Sequence, residues 1–103
     1  MSMLVVYVER LVPLWKERTD VLDLIKEARR EKRATSVDRL IEERRKIDLE
    51  IGRILREAKK HGFDPKAVEL IGRETMETRE QREERERFGL VLHTYRQELA
   101  KDG

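Results

Sequence analysis

Arg45, Lys46, Arg53, Arg56, Lys59 and Lys60 fall within residues 36–62, SVDRLIEERRKIDLEIGRILREAKKHG. Each carries a cation on a long side chain and could neutralise a phosphate. A surface of that kind holds nucleic acid with an affinity that falls steeply with salt and carries little base preference. The same residues could instead be the solvated flank of a coiled coil, tied up in pairs such as Glu42–Lys46 or Asp48–Arg56. Charge by itself does not separate the two readings. Other chemistry finds little support. There is no Gly-rich phosphate loop, no nucleophile triad and no isolated carboxylate pair, and the many carboxylates lie on charged helical faces. Cys is absent, which excludes a disulfide, a thiolate nucleophile and a Cys-ligated metal. His61 and His93 have no partner at ligand spacing. The chain therefore reads as a non-enzymatic protein without metal or cofactor.

The element that must carry these cations is a helix. Val37, Leu40, Arg44, Ile47, Ile51, Ile54 and Ala58 recur at alternating steps of three and four. This is a heptad seam, and it predicts a long helix paired with another helix as a dimeric coiled coil. Arg44 at a seam position reads as a residue that snorkels outward or sets register by pairing with a Glu across the dimer. Composition agrees with helical pairing. Of the 103 residues, 45% are charged and 38% hydrophobic, which leaves a thin core for a compact monomer. Net charge is only +2, but residues 26–60 carry 13 Lys/Arg against 8 Asp/Glu. The flanking segments are slightly acidic, so the basic excess is confined to the middle.

Around that helix the chain divides at about residue 35. Met3–Val8 is an apolar run, readable as a short strand or as the first turns of a helix. It is too short to span a bilayer and lacks the flanks of a secretory signal, so the protein is expected in the cytoplasm. Pro13 disfavours helical geometry at Val12 and suits the first turn of a helix that follows. Leu14, Val21, Leu22, Ile25 and Ala28 then line one face of a helix to about Arg33, with Trp15 beside them. Tyr7 and Trp15 read as core or a self-association edge. Ala34-Thr35-Ser36 is a plausible break, with Thr35–Asp38 at capping-box spacing or Ser36 as the cap. A continuous helix from Pro13 to His61 is the alternative. At the far end, Gly62 closes the seam helix, Phe63 packs back, Asp64 caps the next helix and Pro65 takes its first position. A short helix with Ala67, Val68 and Ile71 inward follows. Thr78–Gln81 marks a restart, and a last helix carries Phe88, Leu92, Tyr95 and Leu99 at heptad spacing. Residues 79–87 alternate in sign, the mark of a solvated helix with weak ion pairs.

Several of these pieces, in order, resemble one family. Val37-Asp38-Arg39-Leu40, Ile47, Glu57-Ala58-Lys59, Gly62-Phe63-Asp64, Lys66-Ala67 and the closing Leu92, Tyr95 and Leu99 are similar to the GapR family of small bacterial nucleoid-associated proteins. The likeness covers about residues 36–100. It implies an all-helical protein that dimerises through its long helix, with dimers joining into a tetramer around duplex DNA. It implies phosphate contacts from Lys and Arg, and a preference for AT-rich, overtwisted DNA. By position, Arg45, Lys59, Lys66 and Arg73 match basic positions of the family. This chain also departs from the pattern. The stretch Val68–Met76 lacks the family's strong basic character, Gly52 stands where the family has a Lys, and about three extra residues lie between Arg73 and Phe88. Residues 1–35 have no counterpart, and Arg29, Arg30, Lys32 and Arg33 are expected to compensate from that added segment.

The sequence thus predicts an all-α protein in two parts. Residues 1–35 are an N-terminal extension with an apolar segment and an amphipathic helix. Residues 36–103 are a GapR-like DNA-binding domain, a long heptad helix followed by two shorter helices. The rival expectation is a helical oligomeric scaffold that kept this fold and binds a protein partner rather than DNA. No membrane and no small-molecule substrate is expected in either case.

Overall fold

The computed structural model describes residues 2–102 as three α-helices: α1 Met3–Arg30, α2 Ala34–Lys60 and α3 Pro65–Asp102. No strand occurs among the described residues, and none of these helices is long and apolar enough to cross a membrane.

Helix α1 starts at Ser2, whose hydroxyl accepts the Leu4 amide at 3.1 Å. The Met3–Val8 run is helical, with Tyr7 and Val8 buried. Contrary to the sequence expectation, α1 continues through Pro13. An interior proline costs roughly 3 kcal/mol, chiefly the lost bond to the carbonyl four residues back. Burial of each large apolar side chain stabilises by about 1.5–3 kcal/mol. Tyr7, Val8 and Leu11 before the proline and Trp15 after it are all buried, so packing on both sides outweighs the break. Trp15, read from the sequence as core or a self-association edge, belongs to the core cluster.

The heptad stripe of α2 faces inward as its spacing requires. Val37, Leu40, Arg44 and Ile47 are half-buried, and Ile51, Ile54 and Ala58 are buried. What they face is α1 of the same chain: Tyr7, Leu11 and Trp15 pack against Ile51, Ile54 and Ala58 in one cluster. The pair is antiparallel, flanked by the ion pairs Arg10–Glu57 at 2.8 Å and Arg18–Asp48 at 2.7 Å. Within one chain, then, the stripe expected to meet a second copy is already filled. The expected caps at Thr35 and Ser36 are not used. α2 begins at Ala34, with Arg33 at the cap position and no side-chain bond to the free amides.

The turn between α2 and α3 follows the sequence reading. Gly62 adopts a positive φ of 88°, the Phe63 amide donates to the Ala58 carbonyl at 3.1 Å, and the Lys66 amide donates to Asp64 Oδ1 at 2.9 Å. Beyond it the expectation of two shorter helices fails, because α3 is one helix of 38 residues. Thr78 does not restart it. Its hydroxyl instead donates to the Glu74 carbonyl at 2.8 Å, one turn back in the same helix. The inward face is also shifted. Ala67 and Ile71 are exposed, and Val68, Gly72 and Met76 are buried against α1. A Cβ on Gly72 would stand 3.3 Å from Leu11 Cβ, so the helices cross where one of them has no side chain. Glu9 and Arg79 form a bidentate ion pair at this crossing. The distal part of α3 then leaves the bundle, and from Gln81 to Lys101 every residue except the half-buried Leu92 is exposed. The molecule is a thin plate of 63 × 45 × 15 Å with a radius of gyration of 19.1 Å.

Candidate nucleic-acid interface

A helix that buries one stripe presents the opposite stripe to water. On α2 the buried stripe is Ile47, Ile51, Ile54 and Ala58, and the opposite one carries Arg45, Lys46, Arg53, Arg56, Lys59 and Lys60. All six are exposed. The pairs anticipated from sequence do not form. Glu42 reaches Arg45, at 3.6 Å, rather than Lys46. Asp48 is held by Arg18 of α1 rather than by Arg56. Arg53 bonds Glu50 one turn back, at 2.6 Å. Among the described residues, no carboxylate stands within ion-pair distance of Lys46, Arg56, Lys59 or Lys60. Helix α1 contributes to this arrangement at a distance. Arg18 and Arg10 engage Asp48 and Glu57, carboxylates that would otherwise compete for the outward cations.

The remaining candidates lie elsewhere. Lys66 is exposed in the first turn of α3, just past the tight turn from Lys59 and Lys60. Arg73 has a different setting. Its guanidinium lies 4.6 Å from the Trp15 ring centroid, with Glu69 at 3.7 Å. It is turned toward α1 and not toward the α2 ridge. Arg29, Arg30, Lys32 and Arg33 cluster at the other end of α2, about 40 Å away for a helix of this length. Arg29, Lys32 and Arg33 line an open groove of about 330 Å³ with Ala34, Val37 and Asp38. Asp38 and Glu42, both exposed, separate this cluster from the main ridge. One contributor was not apparent in the sequence. At Gly52, which departs from the family's Lys, the Arg56 guanidinium lies alongside the helix, its Nη1 an ordinary contact distance of 3.6 Å from where a Cβ would stand.

An all-helical chain that turns a long cationic ridge outward has the surface of a protein that binds a polyanion. Residues 34–100 match the GapR-like, DNA-binding domain family, and the chain belongs to that family. No curated protein and no solved structure matches the chain. The family assignment makes DNA the polyanion and supports a DNA-binding role. It also leaves α1, residues 3–30, outside the matched region although α1 supplies seven of the twelve buried hydrophobic residues among those described.

Proposed function

We propose that this protein is a non-enzymatic, sequence-tolerant duplex DNA-binding protein that grips phosphates along the outer face of α2. Arg45, Lys46, Arg53, Arg56, Lys59 and Lys60 form the main strip and Lys66 extends it past the turn. Arg29, Arg30, Lys32 and Arg33 form a second patch. The observation that carries this reading is the outward ridge within a region that belongs to a DNA-binding family. Phosphate contact by flexible cations favours shape over base identity, and the preference for AT-rich or overtwisted duplex rests on the family resemblance. So does the cytoplasmic, nucleoid-associated location.

Gripping a duplex from more than one side requires more than one ridge. In this reading the chain self-associates as a dimer or tetramer that clamps the DNA. The exposed heptad stripe of distal α3, with Phe88 at 65%, Tyr95 at 61% and Leu99 at 73% exposure, supports that step. Fluorescence anisotropy of a labelled AT-rich duplex, titrated at several salt concentrations, tests the function. Tight binding with a steep negative salt slope is expected. Absence of binding at low salt would overturn the reading.

A further inference from the structure

Helices α1 and α2 end in the same hydrogen-bonded turn, built from different residues. At the end of α2, the Phe63 amide donates to the Ala58 carbonyl at 3.1 Å, with Gly62 at φ 88°. At the end of α1, the Arg33 amide donates to the Ala28 carbonyl at 2.9 Å, with Lys32 at φ 58°. This position demands left-handed backbone, which glycine adopts freely and a residue with a Cβ does not. The following residue differs too. Phe63 packs against the core. Arg33 is 54% exposed and reaches only Glu31, at 2.7 Å, an exposed pair of little worth. The amides that open α2 receive no side-chain cap. Finally, Glu31-Lys32-Arg33-Ala34 is composed entirely of strong helix formers. The two turns share their closing hydrogen bond, but the glycine, the packed apolar residue and the side-chain cap that accompany it in the second turn are missing from the first.

We propose that the Glu31–Arg33 turn is a hinge that straightens, joining α1 and α2 into one helix, so that α1 packs onto α2 and α3 of a second copy while that copy's α1 does the reverse. Straightening removes the left-handed residue and gives the uncapped amides at the start of α2 carbonyl partners from the end of α1. The packing of Tyr7, Leu11 and Trp15 on Ile51, Ile54 and Ala58 joins elements on opposite sides of the hinge. So do the pairs Arg10–Glu57, Arg18–Asp48 and Glu9–Arg79. All can therefore be remade between two copies. The occupant is the second copy's α1, because that surface is already complementary to the site. Short strained connections are where such exchange arises. The inference is independent of DNA binding.

The test follows sedimentation mass against concentration for the full chain, Lys32→Gly and Lys32→Ile. Glycine favours the closed turn and disfavours helix interior, so it should weaken the dimer roughly tenfold or more for each hinge. Isoleucine, poorly tolerated at positive φ, should strengthen it. Spin labels at Asp20→Cys and Lys46→Cys, in a chain free of other cysteines, report the hinge directly. Diluted into excess unlabelled protein, an exchanged dimer separates them by about 39 Å along one helix, and a closed hairpin keeps them on adjacent helices. Three results would overturn the proposal: monomers at every concentration in all three proteins, a dimer indifferent to Lys32, or diluted labels that retain the short distance. A dimer held only by the α3 stripe gives the second and third of these.

Discussion

The guanidinium carbon of Arg73 lies over Trp15, 4.6 Å from the ring centroid, on a tryptophan that is 5% exposed. The pair links α3 to α1 at the crossing of the two helices, beside Gly72. The family resemblance suggests Arg73 as a basic contact, whereas here its half-exposed guanidinium rests against Trp15. Arg73→Ala should therefore cost about 0.5–1 kcal/mol in urea denaturation. Its effect on duplex affinity should be smaller than that of Lys59→Ala in the same anisotropy assay. Equal losses of affinity in the two variants would return Arg73 to the interface.

The α2 ridge makes a quantitative prediction. Neutralising Arg56, Lys59 and Lys60 together should lower affinity for all duplex sequences alike. It should also flatten the plot of log affinity against log salt by about 0.9 for each phosphate contact removed. An unchanged slope would place the phosphate contacts elsewhere on the molecule.

Gly72 and Gly62 are both needed, for unrelated reasons. Gly72→Val would drive a branched side chain into Leu11, which is fully buried, and should destabilise by about 1–3 kcal/mol through overpacking. Gly62→Ala has open space around its Cβ. It should still destabilise by about 1 kcal/mol through the positive φ alone. Thermal denaturation of the two variants separates crowding from backbone strain.

The Glu9–Arg79 pair sets an acid limit. Hydrogen bonds from Arg79 hold the Glu9 carboxyl below the usual carboxylate range. A carboxyl depressed in the folded state stabilises above its unfolded value, about pH 4.3 for glutamate. That stability is lost as pH falls through the folded value. Glu9→Gln should therefore flatten the acid limb of a melting-temperature profile while leaving the shape near neutral pH intact. A profile of identical shape in both proteins would remove Glu9 from the account.

Tyr95→Asp or Leu99→Asp should reduce self-association measured by sedimentation without lowering monomer stability, because both side chains are already exposed. Retention of the wild-type mass would exclude the distal α3 stripe as a contact.

Local chemistry was legible in the sequence. The Gly62–Pro65 turn is a run of residues each suited to one backbone position, and it forms as read. The α2 stripe was legible as a face, because heptad spacing fixes which residues turn inward. Its partner was not, since periodicity does not distinguish a second chain from an earlier segment of the same one. Pro13 misled because a local preference of a few kcal/mol was set against burial that only the tertiary fold supplies. Of the expected inward residues Ala67, Val68 and Ile71, only Val68 is buried. Once α3 is continuous and crosses α1, the phase is set by Val68, Gly72 and Met76. The loss of basic character after Ala67 gains a reason from the same contact, because Val68, Gly72 and Met76 form the face that α1 covers.

The plate-like shape bears on how the molecule behaves in flow. A compact chain of about 100 residues has a radius of gyration near 13 Å, against 19.1 Å here. Three long helices in one thin layer, one of them with an exposed distal arm, account for an extended shape of this kind. A single copy will therefore diffuse slowly and emerge from a sizing column ahead of globular standards of 12.4 kDa. Elution position alone would make one copy look like two, and the count of chains in any assembly has to come from a method that weighs the particle.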